Sequence, residues 1–238
     1  SLRHLATQAS ALNEAQLVQH LTVLAEQSLL TPEPPAAEYT FVHPLLKDAV
    51  YSSVPYAQRR TWHRVIADYL ARGDTYPHLE ALAYHYSHSD APTRGVRYNR
   101  LAGDKARTRQ AWDEASGYYQ AAIDISNEDP ALSQERSRAY ERMGDVYALT
   151  GRYEKALAAY EHAMQETEHP ARLEGKLGLI DPALDHVEQA IQHLEKAWDE
   201  LEWEMPLRPW VAVALGWLAL RARPKDMAAI AGAGAAAV

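Results

Sequence analysis

Eleven histidines and no cysteine set the chemistry this 238-residue chain can attempt. Without cysteine there is no disulfide, no thiolate nucleophile and no zinc–thiolate site. His85 and His88 stand three residues apart on a predicted helix, a spacing compatible with metal ligation, and His78 lies two turns earlier. Asp90, on a loop, is the one carboxylate candidate, so the ligand set is incomplete. Packing of His85 between helical hairpins, with His88 near a helix end, explains both without a metal. Ser52, His43 and Asp48 have the residue types of a hydrolytic triad, but no G-x-S-x-G turn surrounds any serine. A triad is a geometry and not a composition. The residues therefore point to a non-enzyme that needs no cofactor and no metal.

Arginine is more informative. Residues 91–110, APTRGVRYNRLAGDKARTRQ, hold six basic residues against one Asp, whereas Tyr153 to Glu204 hold thirteen acids against four bases. The net charge of −8 argues against nucleic acid as a direct partner, because such affinity rests on phosphate neutralisation. Near the N-terminus only scattered charges such as Arg3 and His4 occur, and TPEPPAAE is acidic. The apolar run from Trp210 to Leu220 is eleven residues, too short for a hydrocarbon core of about 30 Å. A helix capping the end of a helical array fits it better than an interfacial membrane helix. No transmembrane segment is expected. The N-terminus lacks an apolar signal core, and a cytoplasmic location fits the absence of cysteine. The chain starts and stops without clear caps, as a fragment of something longer would.

Those arginines need elements to hold them. Glycine and proline fall mostly between stretches of helical periodicity, and β-branched alternation is nearly absent. In RSRAYERMGDVYALTGRYEKALAAYEHAM the pattern is Tyr140-x2-Met143-Gly144-x2-Tyr147, then Gly151, Ala156, Tyr160 and Ala163. Tyr140, Met143 and Tyr147 share one helix face. Gly144 and Ala156 let two antiparallel helices approach, and Tyr160 and Ala163 present a knob and a hole to the following repeat. This pattern resembles the tetratricopeptide repeat (TPR). Thirty-four residues on come Leu177-Gly178, Ala190, Leu194 and Ala197, with Asp181-Pro182 ending the first helix early. Forty-one residues back come Gly103, Ala115, Tyr119 and Ala122. Earlier still, Trp62-x2-Val65-x3-Tyr69-x3-Gly73 repeats the first-helix spacing, with HLEALAYHYSHS about three residues late.

The expected fold is all-α: a TPR-like right-handed helical-hairpin solenoid, preceded by a partial winged-helix element with a short β-hairpin. Boundaries are placed at 1–56 for that element, 57–205 for the repeats and 206–238 for an apolar capping helix and a low-complexity tail. The hairpins span about 57–90, 95–126, 137–168 and 171–204. In TPR proteins the first helices line a concave groove. Its exposed positions here are Arg97, Arg100, Asp104, Arg107, Arg138, Glu141, Arg142 and Asp145, a set suited to an acidic peptide or a C-terminal carboxylate. The competing reading is a solvated face whose arginines pair with nearby acids.

Before the repeats, Leu12, Leu17, Leu21 and Leu24 follow helical spacing, and Tyr39–Val42 reads as a strand pairing with Leu29–Thr31. Pro44 suits a first helical turn. Phe41 is expected inward on the second strand, His43 hydrogen-bonded across the strand-to-helix joint, and Tyr51 closed against the first hairpin. The run Y-x-F-x-H-x-L-x3-A-V-Y, then Arg59-Arg60-x-Trp62-His63-x2-Ile66-Ala67, then Leu82-Ala83-Tyr84-His85-Tyr86, is similar to one bacterial arrangement. In it a winged helix passes into TPRs in STAND-type signal-transduction ATPases, and in regions of class III adenylate/guanylate cyclases and large transcriptional regulators. Phe41, His43, Pro44, Tyr51, Trp62 and His63 would form the inter-module junction. The resemblance implies a sensor or interaction module taking a protein or peptide partner and acting on an upstream NTPase or cyclase domain in the same protein. It equally admits a regulatory part of an ATPase or cyclase, or of a transcriptional regulator with DNA binding elsewhere. No G-x4-G-K-[ST] loop occurs, so the chain has no phosphate cradle of its own.

Overall fold

A computed structural model describes residues 13–33, 38–201 and 206–221. Leu12, Arg3, His4, the centre of the TPEPPAAE segment, Arg223 and the Gly/Ala tail lie outside the described residues. The chain divides into two compact units between Tyr98 and Asn99.

In the first unit, helix α1 (Glu14–Glu26) starts at a capping box. The Asn13 side chain accepts from Gln16 N, and the Gln16 side chain accepts from Asn13 N. Strands β1 (Leu30–Glu33) and β2 (Glu38–Phe41) then pair antiparallel, with Leu30 opposite Phe41. They form the only sheet among the described residues. The inward anchor of this hairpin is Leu30, 8% exposed, and not Phe41, which is 38% exposed. Cross-strand partners share a face, but α1 packs on β1, which covers Leu30 more fully than its partner Phe41. Helix α2 (Pro44–Ser53) places Pro44 in its first turn. His43 precedes it in extended backbone, exposed, and its side chain makes no cap hydrogen bond. The imidazole therefore does not bridge the joint; the proline alone sets the helix start.

Helices α3 (Tyr56–Leu70) and α4 (Leu79–Ser87) form the first hairpin, joined through a 3-10 turn at Tyr76–His78. Buried Ala67, Leu82, Ala83 and Tyr86 make its core. Tyr86 donates to Asp68 Oδ1 at 2.8 Å, accepts from Arg94 Nη1 at 3.0 Å and stacks on Tyr98 with ring centroids 5.1 Å apart.

Helix α5 runs from Pro92 to Thr108. In the second unit it is followed by α6 (Trp112–Ser126), α7 (Ser133–Leu149), α8 (Tyr153–Met164), α9 (Pro170–Ile180), α10 (Val187–Glu200) and α11 (Arg208–Arg221). As the sequence predicts, α9 stops before Asp181-Pro182, which continue as a 3-10 turn. One contact recurs in three hairpins. A methyl carbon placed on Gly103 would lie 2.6 Å from Tyr119 Cε1, one on Gly144 2.5 Å from Tyr160 Cε1, and one on Gly178 2.5 Å from Leu194 Cγ. Tyr160 is seated on Gly144 of its own hairpin and also packs with Leu173, Leu177 and Ile180 of the next repeat, to which the sequence expects it to be offered as a knob. The residue after the glycine completes the contact. Tyr119 donates to Asp104 Oδ1 at 2.8 Å and Tyr160 to Asp145 Oδ1 at 2.9 Å. Burial and these carboxylates push both phenols well above the usual tyrosine range, so they stay protonated donors. In the fourth hairpin Leu179 and Leu194 replace both members, which leaves no orphaned polar group. In the first, Asp68 and Tyr86 are 18 residues apart where the later pairs are 15, matching the three-residue lag read from the sequence.

The turn inside each hairpin of the second unit also holds one residue in the left-handed region: Gln110 at φ 60°, Gly151 at 71° and Asp185 at 60°. All three come seven residues after their hairpin's glycine. Only at Gly151 is the conformation free of a Cβ penalty.

The glycine seat gives opposite signs to one substitution. Gly144→Ala drives a methyl into a ring held by Asp145, and overpacking of this kind costs about 1–3 kcal/mol. Gly117, exposed within α6, has nothing within 4 Å of an added Cβ. Gly117→Ala should gain up to about 1 kcal/mol from helix propensity. Urea-unfolding midpoints of the two variants should move in opposite directions.

Candidate functional site

The first helices of successive hairpins in the second unit, α5, α7 and α9, contribute to one recess of about 410 Å³. It is lined by Arg100, Arg138, Glu141, Arg142, Arg172 and Lys176, five cations around one acid. A 34-residue step carries Arg138 onto Arg172 and Arg142 onto Lys176, so the repeat period places basic side chains at matching positions of neighbouring helices.

The two ends of the recess differ electrostatically. Buried Glu141 is held by Arg172 Nη2 at 2.5 Å and Lys176 Nζ at 2.7 Å, and Lys176 also reaches Asp145 Oδ1 at 2.5 Å. These are charge-assisted hydrogen bonds at full strength. Toward α5 the pairs are looser. Arg100 lies 3.6 Å from both Asp104 and Glu135, and Arg142 lies 3.7 Å from Asp104, beyond hydrogen-bond length. Arg100 Nε is buried without a hydrogen-bond partner, as are Arg172 Nε and Glu135 Oε2. Only Arg138, exposed, is closely paired there, with Glu135 at 2.6 Å. Guanidinium donors of Arg100 and Arg142 are thus in place with hydrogen-bonding capacity to spare.

Of the residues singled out in the sequence, Arg100, Arg138, Glu141 and Arg142 line the recess, and Asp104 and Asp145 pair with its cations. Arg97 and Arg107 do not line it. Arg97 belongs to the first unit, exposed, with its guanidinium 5.8 Å above the Tyr98 ring. Arg107 stands on α5 with Nε buried and without a partner. Arg172 and Lys176 were missed by a reading that stopped at the second of these helices. The 34-residue shift was the signal that would have found them.

The first unit gathers a second group of titratable side chains. Buried His63 on α3 bonds Tyr51 Oη of α2 through Nε2 at 2.9 Å and His85 of α4 through Nδ1, also at 2.9 Å. His88 and Tyr84 pack around it, with ring centroids 5.3 and 5.6 Å from His63. His88 Nδ1 lies 2.7 Å from the Tyr84 carbonyl, at the end of α4, and Arg59 covers the Tyr51 ring at 4.8 Å. Trp62 is half-buried beside this group in sequence. No group of three or more metal-ligating side chains suited to an ion occurs among the described residues. His63 holds α2, α3 and α4 together through its hydrogen bonds to Tyr51 and His85 and through ring contacts with Tyr84, His85 and His88.

Burial first, then His85, His88 and Arg59, lowers the His63 pKa to about 4, and burial and His88 lower that of His85. The unfolded chain therefore binds more protons between about pH 6.5 and 4. Stability should be complete above pH 6.5 and fall as pH drops through that window, by roughly 1–3 kcal/mol for one such group. His63→Gln should flatten this acid limb in unfolding curves recorded from pH 7 to 4.

Residues 96–165 match the tetratricopeptide repeat family. No curated protein matches the chain. Among solved structures, BtubC (BKLC) from P. vanneervenii is similar at a TM-score of 0.53 and 15% identity, covering 91% of this chain and 87% of that one. MamA is similar at 0.46 and 16% identity over 68% of this chain and 80% of its own. TPR-like repeats of a protein described as a kinesin light chain, from Podosopora anserina, are similar at 0.49 and 14% identity over 76% and 95%. At these identities the likeness concerns the fold alone: predominantly helical, with TPR-like helical-hairpin repeats and a two-stranded sheet near the N-terminus.

Proposed function

We propose that this chain is a non-catalytic interaction module that takes an acidic segment of a protein or peptide on the first-helix face of its second unit. The spare donor capacity of Arg100 and Arg142 carries this reading. Two guanidinium groups stand at the rim of a recess in which the acids nearest them are too distant to satisfy them. An incoming carboxylate can accept from both, and planar guanidinium groups suit carboxylates in two-point contact. Glu141 and Asp145 keep the other end of the recess neutralised, so the acidic group enters at the α5 end.

The wider setting follows the resemblance of residues 39–86. The module belongs to a larger bacterial signal-transduction regulator, in which partner capture is relayed through a winged-helix element to an upstream NTPase or cyclase domain. The absence of a phosphate-binding loop from this sequence supports placing turnover elsewhere in that protein. The purified chain should accordingly show no ATP hydrolysis above a denatured control.

The binding test uses a fluorescein-labelled peptide of alternating Glu and Ser with a free C-terminal carboxylate, and its C-terminal amide. Arg100→Glu/Arg142→Glu should weaken anisotropy-measured affinity at least tenfold, about 1.4 kcal/mol or more, while the far-UV circular dichroism melt stays within a few degrees. Rising salt should weaken wild-type binding in the same direction. Equal affinity of wild type and variant refutes the groove reading. A lower affinity for the amide assigns the contact to the terminal carboxylate rather than to side-chain acids.

A further inference from the structure

Four bases stand against the thirteen acids of Tyr153 to Glu204, and two of those bases are already engaged at the recess. Arg172 and Lys176 are held there by Glu141 and Asp145. Glu174 is two residues from each of them, which at about 3.6 residues per turn places it on the opposite face of α9. On that face a second cavity, of about 250 Å³, opens between α8, α9 and α10. Glu161, Met164 and Gln165 line it from α8 and its C-cap, Glu174 and Leu177 from α9, and His193 from α10.

Two hydrogen-bond acceptors meet in this cavity and lack a donor. Asp181, buried in the 3-10 turn that follows α9, accepts from His193 Nδ1 at 2.7 Å. That bond fixes the neutral imidazole as the Nδ1–H tautomer, so its Nε2 presents a lone pair. Nε2 lies 3.8 Å from Glu174 Oε2, and that oxygen is buried without a hydrogen-bond partner. Even a protonated ring would leave it unmatched, because 3.8 Å is beyond hydrogen-bond length. A buried carboxylate oxygen without a donor is costly. Lys196 does not supply one: it approaches only Oε1, at 3.5 Å, from a side chain that is 61% exposed. Exposed Glu161 adds a second carboxylate to the lining, and Met164 and Leu177 add an apolar wall.

We propose that this cavity is a docking site for one arginine side chain of a basic protein segment, separate from the recess between the first helices. The guanidinium donates one N–H to Glu174 Oε2 and another to His193 Nε2, a planar two-point contact that a lysine ammonium does not match. Its methylene stem lies along Met164 and Leu177. The surplus of acids over Tyr153 to Glu204 favours a segment with further basic residues beside that arginine. Asp181, where the sequence departs from the repeat pattern, holds the imidazole in the tautomer that accepts.

The probe is a fluorescein-labelled peptide of alternating Arg and Ser, titrated with the full chain at fixed ionic strength. It should bind saturably in anisotropy, and Glu174→Gln should weaken it at least tenfold while the circular dichroism melt stays within a few degrees. Glu188→Gln removes an exposed acid of α10 outside the cavity and should change affinity by no more than about twofold. Citrulline in place of every arginine of the peptide keeps the shape without the charge and should abolish binding, a test that needs no altered protein. Lysine in place of arginine should weaken binding several-fold. No saturable binding, equal effects of Glu174→Gln and Glu188→Gln, or equal affinity for the arginine and citrulline peptides overturns the proposal. Equal affinity for the lysine peptide overturns the guanidinium contact. Displacement by free arginine at the peptide's own concentration overturns docking of a protein segment, since the cavity would then hold a small molecule.

Discussion

A tyrosine ring seated against a glycine backbone sets how close two helices of one hairpin can come. Everything else in the second unit follows from that separation. With a Cβ on Gly103 or Gly144 the ring would have to leave, and with it the buried phenol that reaches the next residue's carboxylate. The contact thus couples apolar packing to a hydrogen bond that is strong because it is shielded and charge-assisted. It also fixes the rotation of the first helix, since only one orientation presents glycine to the ring and aspartate to the hydroxyl.

That orientation explains the character of the recess. Asp104 and Asp145 accept from core tyrosines and also face the groove cations Arg100, Arg142 and Lys176. The wall is therefore anchored to the interior and is not a set of freely rotating surface charges. Much of the rotamer entropy that a ligand would otherwise have to freeze is already spent in folding. Surface ion pairs contribute little when exposed, but a network tied to buried groups holds its geometry.

The repeats were legible because their spacing is enforced by this contact, which needs glycine, alanine and a large residue at fixed intervals. Spacing within the hairpin therefore located Gly103 and Gly144, the 34-residue period located Gly178, and the premature end of α9 followed from Asp181-Pro182. What period could not reveal was direction. Tyr160 has the same place in the repeat whether it packs within its hairpin, against the next or, as here, on both. The same holds for Phe41, whose pairing with Leu30 fixes a shared face but not how far that face extends. His63 stood out in the sequence beside Arg59-Arg60-x-Trp62, yet its partners His85 and Tyr51 come from different helices and carry no common spacing. At the candidate site the arginines of α5 and α7 were visible from charge, whereas which of them have spare donors depends on differences of about an ångström between ion pairs.

The fourth hairpin has leucine in place of both the aspartate and the tyrosine. Shuffling of repeats therefore has a natural unit. A whole hairpin can change places with another and bring a self-consistent interior along. A single helix cannot: grafting α10 onto α7 would leave Asp145 facing a leucine, and grafting α8 onto α9 would bury a phenol opposite Leu179. Duplication and recombination of this array should then respect boundaries between hairpins and avoid the turns inside them, which makes the pair of residues a grammar for how such a chain can grow.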